Sequence, residues 1–530
     1  MSKTKKSVNN YNFTKETTQL FDFIKQNEKV MNPNLISIDK NISNLLNYLH
    51  KNYLIFMKEK IVLKSNTDNQ MTPTKNPVIS IDRNDIFLDN IDTCKSKNYK
   101  RKYLLNVEVI LFELYKNHKE LLLKMLRLHK YSEKEKKNVL DFISKIQEFS
   151  KNYVINWMNK NGIELMRSLY IFLLNRRLPE KINQLVGEDL TIYGEFTSLD
   201  IQEEIELSLP YMQKNLYSMK DTELSLILNS RQYKSISEDF IRRCFYLNFL
   251  LGRNKKINLK IWLSKLKKYL PNERQEKFLG PKEINSGCTN GIEITLWRRE
   301  EISKIMIHEI IHYLDLENIY DIEEIREYFY KKFDIKRDIK INFFESYTEI
   351  WTNILNICFI VFAKKSNKNK KSKKKSITFK NSDVISEIIK LLNYELLFNL
   401  FQTAKVFDYF GYQKFSDFYK FEGIQEERKS NKYKQRTNVF SYFIGRSLIF
   451  YNLAKFVNLC FMYNKDNVIN NMIPATEFIK LMEDTINNTD YIERIDKLLS
   501  FIRKNKNEQK QNKMNFTYRT LRFTLFETKI

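Results

Sequence analysis

The segment from Asn285 to Asp315 constrains the fold most, because its pattern changes from a turn to a strand and then to a helix. Gly287, Asn290 and Gly291 predict the turn. Residues 292 to 297 alternate between apolar and polar side chains, which predicts a strand. Apolar residues then recur every three or four positions, which predicts a helix with a buried face at 302, 305, 306, 310, 311 and 314.

Most of the remaining sequence has helical periodicity. The pattern predicts helices within 20–62, 103–177, 224–270, 384–401 and 439–461, and a short strand pair at 78–88. The expected fold class is therefore mainly α with a small β component (α+β). We predict four regions: a polar tail at 1–18, a mainly helical N-terminal region at 19–270, a core at 271–463, and a helical C-terminal region with a basic tail at 464–530.

Composition excludes several classes of protein. Hydrophobic residues make up 42% of the 530 residues and aromatic residues 14%, which is too much for a disordered chain. The five cysteines form no C-x-x-C pair, which argues against a disulfide framework and against a cysteine zinc site. The polar N-terminus predicts no signal peptide, and no apolar run predicts a transmembrane helix, so we expect a protein that stays inside a cell.

The net charge of +26 makes nucleic acid a partner to consider, although Lys, Asn and Ile are frequent throughout. The charge is densest at 364–376, which predicts a solvated basic loop. Lysine tracts bind phosphate groups without sequence preference, so this loop is a candidate for non-specific nucleic-acid binding. The candidate phosphate contacts are Lys370, Lys371, Lys373, Lys374 and Lys375.

The predicted helix after residue 300 carries an H-E-x-x-H motif at His308, Glu309 and His312. Helical pitch places the two imidazoles one turn apart on one face, at the spacing that binds one Zn²⁺. Glu309 is adjacent and is the candidate general base for a zinc-activated water. The chain has only five histidines, so a chance match is rare. The alternative is a helix with two stacked, exposed histidines and no metal.

A catalytic zinc needs a third protein ligand, and no histidine follows His312. That leaves a carboxylate. Glu345 and Glu349 are four residues apart at the start of an apolar segment, so they share one face of a predicted buried helix. We predict Glu345 as the ligand and Glu349 as the carboxylate that orients a histidine ring, with the reverse assignment and a solvent-facing pair as alternatives. Asp315 is a further candidate for the orienting role.

These motifs together resemble a gluzincin-type zinc metallopeptidase, which has H-E-x-x-H on one helix and a glutamate ligand on a later helix. The runs I-x-L-W-R-R-E-E, H-E-x-x-H-Y-x-x-D and E-S-Y-T-E-I-W further resemble an uncharacterised metallopeptidase family of giant nucleocytoplasmic DNA viruses. The resemblance covers residues 285 to 356. It implies a zincin-like core at 271–463, one Zn²⁺ per chain, hydrolysis of peptide bonds and a place in the host cytoplasm or in a virion.

The resemblance makes a peptide or protein the expected substrate. The strand at Ile292, Ile294 and Leu296 is predicted to be an edge strand, which can pair with an extended peptide. Tyr347, or a tyrosine from a distant segment, is the candidate to stabilise the oxyanion. The alternative function is a catalytically inactive zinc-binding structural protein or a nucleic-acid-associated virion protein.

Overall fold

The computed structural model describes residues 11–64, 111–148, 201, 212–229, 236–271, 278–317, 322–371, 381–419, 432–464, 467–508 and 515–529, with short gaps at 32–35, 37–38, 113, 129–131 and 147. The chain divides into two compact units. The larger unit comprises residues 1–64, 216–226 and 234–530, and the smaller unit comprises 65–215 and 227–233. The strand pair predicted at 78–88 lies outside the described residues, and the four predicted regions stay predictions.

The described part of the chain is mostly helical and contains one mixed sheet of six strands, which confirms the α+β class. The strands are β1 (Val62–Lys64), β2 (Met212–Met219), β3 (Thr222–Asn229), β4 (Ile257–Ser264), β5 (Gly287–Thr289) and β6 (Ile294–Arg298).

The helices up to the sheet's last strand are α1 (Lys15–Gln26), α2 (Glu28–Met31), α3 (Lys40–Phe56), α4 (Lys119–Leu128), α5 (Glu133–Ser144), α6 (Glu238–Leu251) and α7 (Pro281–Ile284). The helices after it are α8 (Ile302–Tyr313), α9 (Ile322–Lys332), α10 (Phe344–Lys371), α11 (Asn381–Phe410), α12 (Arg446–Tyr451), α13 (Leu453–Tyr463), α14 (Ala475–Ile486), α15 (Thr489–Glu508) and α16 (Asn515–Arg519). A π-helix at Phe440–Gly445 precedes α12.

The smaller unit is described in part, with α4 and α5 as its helices. The start of α5 is fixed by a capping box. The Ser132 hydroxyl accepts a hydrogen bond from the Glu135 backbone N–H, and the Glu135 carboxylate accepts one from the Ser132 N–H. This arrangement satisfies two backbone donors that the first turn leaves without helical partners.

The sheet has the strand order β1-β2-β3-β4-β6-β5. Strand β6 pairs in parallel with β4 and antiparallel with β5, so both of its edges are occupied. The prediction that this strand is an edge strand is therefore wrong, and β5 is the outermost strand on that side of the described sheet. Strand β5 was not predicted, and Gly287 was assigned to the turn, because three residues are too few to show the alternation of a strand.

Strands β5 and β6 form a hairpin around Asn290 and Gly291. The Asn290 side-chain oxygen accepts hydrogen bonds from the backbone N–H of Ile292 and Glu293, at 3.0 and 2.9 Å. Gly291 has a φ of 81°, which favours glycine. Ile292 is 72% exposed at this turn, whereas Ile294 and Leu296 are fully buried in β6.

Helical periodicity was the wrong interpretation for parts of 224–270. Strands β3 and β4 lie there, on either side of helix α6. In β4 residues 257 to 260 alternate between buried and half-buried, whereas the four residues 261 to 264 are all buried, so the second half lacks the alternation of a half-exposed strand. Buried strands are near-continuous apolar runs, and such runs resemble buried helices in sequence.

Helix α8 lies in the core of the larger unit, and every residue of this helix except His312 is buried. Glu300 and Glu301, the two glutamates before the helix, are buried as well. Glu301 has a left-handed backbone with a φ of 62°, and its carboxylate forms a buried ion pair with Lys268.

Helix α10 begins at the predicted third ligand and continues through the first part of the basic run. The prediction of a loop at 364–376 is wrong for 364–371, which is helical, and residues 372–380 lie outside the described residues. Lys364 and Lys365 form ion pairs with Glu387 of α11, and the Lys365–Glu387 distance is 3.3 Å. The single carboxylate of Glu387 offsets part of the charge of these two lysines, where the helix enters the basic run.

The last described segment, 515–529, is buried over residues 520–526 of the larger unit. Leu521, Arg522, Thr524 and Phe526 have no exposed surface. The segment is joined to the rest of the unit by backbone hydrogen bonds, such as Leu521 N–H to the Lys268 carbonyl at 3.0 Å. Residues 520–526 are therefore part of the core. Among the described helices, none combines the length and apolar character needed to cross a membrane.

Candidate metal centre

Three ligand atoms from α8 and α10 converge. The Nε2 atoms of His308 and His312 are 3.0 Å apart, and the Oε2 atom of Glu345 lies 3.1 Å from the first and 3.2 Å from the second. Helical pitch aligns the two imidazoles, and the packing of α8 against α10 brings the carboxylate to them. Within the described residues, this is the cluster of three side chains that can hold a metal ion.

The separations of these atoms suit zinc. Three atoms about 3.1 Å apart can all lie about 2.0–2.1 Å from one point, which is the length of Zn–N and Zn–O bonds. Two imidazoles with one carboxylate are a ligand set of catalytic zinc sites, which leave a fourth position for water or substrate. The donor atoms present therefore fit Zn²⁺. Where the sequence left the ligand assignment open, the geometry brings Glu345 to both imidazoles.

Glu349 lies on the other side of His308. Its Oε1 atom is 2.8 Å from the His308 Nδ1 atom and also contacts the ammonium group of Lys304. Its Oε2 atom accepts a hydrogen bond from the Arg446 guanidinium at 2.7 Å. The Glu349, Lys304 and Arg446 side chains are at most 1% exposed. This arrangement matches the orienting role predicted for Glu349.

Glu317 contacts the second imidazole. Its Oε1 atom lies 2.5 Å from the His312 Nδ1 atom. Asp315 was a predicted candidate for orienting a histidine ring, but it is exposed just after the end of α8, with a φ of 52°. Glu317 was missed because it follows the end of the helix, where helical spacing no longer indicates which residues are neighbours.

Glu309 projects toward the sheet. A Cβ atom placed on Gly287 would lie only 3.0 Å from the Glu309 Oε1 atom, so the carboxylate packs directly against β5. Burial raises the pKa of Glu309 to about 7, against the opposing effect of the two nearby imidazoles. A pKa near neutrality suits a general base.

The protonation of the ligands depends on their mutual contacts. Burial raises the pKa of Glu345, but the two imidazoles outweigh this effect and lower it well below its usual range. Burial lowers the pKa of His308 and of His312, but the neighbouring carboxylates outweigh it and raise both. In the metal-free protein the imidazoles therefore hold their protons more tightly than a free histidine does.

The loop and π-helix before α12 complete the site. The Asn438 side-chain amide donates a hydrogen bond to the Glu345 Oε1 atom at 3.1 Å. The Tyr442 ring centroid is 6.1 Å from that of His308, and the tyrosine is partly exposed. Burial, followed by the charges of Glu345, Glu309 and Glu349, raises the pKa of Tyr442 well above its usual value. Tyr442 therefore stays a hydrogen-bond donor at neutral pH.

The π-helix packs closely against α10. The Ser441 carbonyl accepts a hydrogen bond from the Ser346 hydroxyl at 2.9 Å, and a Cβ atom on Gly445 would clash with that hydroxyl. The Phe443 carbonyl accepts a hydrogen bond from Thr403 at 2.9 Å. These side-chain donors satisfy carbonyls of the π-helix, a form that occurs frequently at functional sites.

The other predicted site residues are elsewhere. Tyr347 is fully buried, and its hydroxyl donates to the Ile469 carbonyl at 2.8 Å, so it is not the tyrosine at the ligand cluster. Lys370 and Lys371 belong to α10, and the remaining three candidate phosphate contacts lie outside the described residues.

Signals for the missed residues differ. Lys304 is four residues before His308, so a charged residue on the histidine face of an apolar helix was a usable signal. Asn438, Tyr442 and Arg446 carry no such signal, because they are distant in sequence.

Comparisons of the chain with protein-family models, with curated proteins and with solved structures return no match. The function of the chain is therefore inferred from the residues of the site.

Proposed function

We propose that the protein is a zinc-dependent metallopeptidase with a gluzincin-like arrangement of ligands in a zincin-like core. The observation that carries this proposal is the convergence of His308, His312 and Glu345, with atoms 3.0–3.2 Å apart, beside the buried carboxylate of Glu309. One Zn²⁺ bound there would act as a Lewis acid on the scissile carbonyl and would lower the pKa of water.

Several side chains of the protein have roles in the proposed reaction. Glu309 accepts a proton from the attacking water and delivers it to the leaving amine. The Tyr442 hydroxyl donates a hydrogen bond to the carbonyl oxygen as negative charge develops there. Asn438 and the neighbouring imidazoles hold Glu345 in place, and Glu317 and Glu349 do the same for the two imidazoles.

The peptide substrate is proposed to pair with β5 and not with β6. Strand β5 is outermost in the described sheet, and its Gly287 is in contact with the Glu309 carboxylate. An extended peptide added to this edge would place main-chain carbonyls next to the general base. Both edges of β6 are used by neighbouring strands, so β6 has no edge to offer.

The alternative, a structural zinc site without turnover, normally has four protein ligands. Three ligand atoms converge in the described part of the chain, which favours an open fourth position. One variant distinguishes the two functions. Glu309→Gln is isosteric and is not a ligand, so it should retain one zinc per chain and lose hydrolysis of labelled casein and of a degenerate peptide library by at least about 100-fold.

The control is His308→Ala, which should lose both zinc and activity. Zinc is measured by mass spectrometry of the purified protein. Undiminished hydrolysis by zinc-loaded Glu309→Gln would refute the proposed mechanism. A wild-type protein that binds zinc and hydrolyses neither substrate would favour the structural alternative, and salt-sensitive binding to DNA would favour the virion role.

A further inference from the structure

Residues 521–527, the C-terminal clasp, lie outside helices and strands, and residues 521–526 are buried in the larger unit. The Thr524 N–H donates to the Glu301 carboxylate at 2.6 Å, and the Leu525 N–H donates to the Glu395 carboxylate at 3.0 Å. The Arg522 guanidinium pairs with the Glu527 carboxylate at 2.9 Å within the clasp. The two hydrogen bonds from the backbone to carboxylates hold residues 524 and 525 in place.

Phe523 is the residue of the clasp that faces the metal centre. Its carbonyl accepts a hydrogen bond from the Arg446 guanidinium at 2.7 Å. Its ring lies 4.7 Å from the Lys304 ammonium group and 5.0 Å, centroid to centroid, from the Tyr442 ring. The ring also lies 3.8 Å from the Lys268 ammonium group. Phe523 therefore contacts Arg446 and Lys304, which hold Glu349, and Tyr442, which is proposed to contact the substrate carbonyl.

Two of these contacts lead to one ligand. Arg446 and Lys304 both hold the carboxylate of Glu349, and Glu349 lies 2.8 Å from the Nδ1 atom of His308. An arginine that loses one of its acceptors, or a lysine that loses the aromatic face beside it, can rotate away from its remaining partners. A change at Phe523 would thus alter the orientation of His308 without contact with any ligand.

We propose that Phe523 is a positioning residue of the metal centre, through which the C-terminal clasp sets the orientation of His308. This inference rests on the proposed zinc site. It assigns a role in metal binding to a segment that is more than 200 positions from the H-E-x-x-H motif in sequence. The two are neighbours in the structure, because the Phe523 ring contacts Lys304.

Phe523→Leu removes the aromatic face and should shift the backbone carbonyl, while the core stays apolar. The matched control is Phe526→Leu in the same clasp, because Phe526 is equally buried but packs against Phe13 and Phe21. Zinc affinity is measured by competition with a chromophoric chelator, and ligand geometry by the visible spectrum of the Co²⁺-substituted protein. Urea midpoints show whether each variant is folded.

We expect Phe523→Leu to bind zinc about three- to tenfold more weakly and to change the Co²⁺ spectrum, because partners behind a ligand affect affinity by up to about 10–100-fold. Phe526→Leu should lower the urea midpoint and leave both metal readouts unchanged. The effect of Phe523→Leu should also disappear in a Glu349→Gln background, since the contact chain is already broken there.

Equal zinc affinities of the two leucine variants would overturn the inference and leave the proposed zinc site intact. An undiminished effect of Phe523→Leu in the Glu349→Gln background would also overturn it, because the path through Glu349 would then carry nothing. Phe523→Met, which is similar in volume, repeats the test if the leucine variant does not fold. Failure of the wild-type protein to bind zinc would refute the proposed function itself.

Discussion

Glu345 and Glu349 are four residues apart on one helix, and the structure predicts different effects when each is replaced by glutamine. Glu345 lies among two imidazoles, and Glu349 lies between the ammonium group of Lys304 and the guanidinium of Arg446. An imidazole can release its proton and become neutral, whereas an arginine stays charged. The loss of each carboxylate therefore leaves a different residual charge.

For Glu349→Gln we expect a large loss of stability. The variant leaves the buried guanidinium of Arg446 without its anion, and removal of one partner from a buried ion pair costs about 3–5 kcal/mol. Lys304 can release its proton, because burial lowers its pKa to about 8. The free energy of unfolding of the metal-free protein should fall by about 3 kcal/mol or more. Zinc affinity should fall by about 10–100-fold, because His308 loses the carboxylate that orients it.

For Glu345→Gln we expect a large loss of zinc affinity. Zinc binding to a four-ligand site contributes about 10–16 kcal/mol, or about 3 kcal/mol per ligand, so loss of one ligand should weaken binding by about 100-fold or more. The free energy of unfolding of the metal-free protein should change by about 1 kcal/mol or less, since the imidazoles can become neutral.

The assays are urea unfolding of metal-free protein and competition for zinc with a chelator. Equal unfolding midpoints for Glu349→Gln and the wild type would refute the proposed charge arrangement. A greater loss of zinc affinity in Glu349→Gln than in Glu345→Gln would reverse the ligand assignment.

Three further predictions concern the site. Gly287→Ala places a Cβ atom 3.0 Å from the Glu309 Oε1 atom, so turnover should fall about tenfold or more with zinc retained, whereas Gly280→Ala, with no neighbour closer than 3.6 Å, should be active. Tyr442→Phe should lower turnover about 100-fold at unchanged zinc affinity, and Tyr347→Phe should not; equal rates would contradict the oxyanion role. Because the pKa of both imidazole ligands is raised, protons should compete with zinc from above pH ~6.5, and affinity should fall by up to about 100-fold per pH unit below both pKa values; a flat pH profile in chelator competition would contradict this.

Local spacing explains which parts of the fold and site were predictable. The H-E-x-x-H helix, the strand before it and the buried helix with Glu345 follow from residues a few positions apart, for which helical pitch and strand alternation determine the neighbours. The same rules failed for β4, whose buried residues lack alternation, and for β5, which is too short to show a period.

The extent of the basic loop was wrong for a related reason. Charge composition alone predicts solvation, but Lys364 and Lys365 both form ion pairs with Glu387, a residue of another helix. A run of like charges is destabilising only until an oppositely charged neighbour packs against it. No pattern within the run indicates that neighbour.

By itself, the sequence determined the spacing of His308 and His312 and the place of Glu309 beside them, because these depend on the pitch of one helix. The tertiary structure alone decided that Glu345 meets both imidazoles, that β5 is outermost in the described sheet, and that Arg446, Tyr442 and Phe523 lie around the site. The physical reason is that a contact between separate elements, such as that of His312 with Glu345 33 positions later, depends on packing and leaves no period in the sequence.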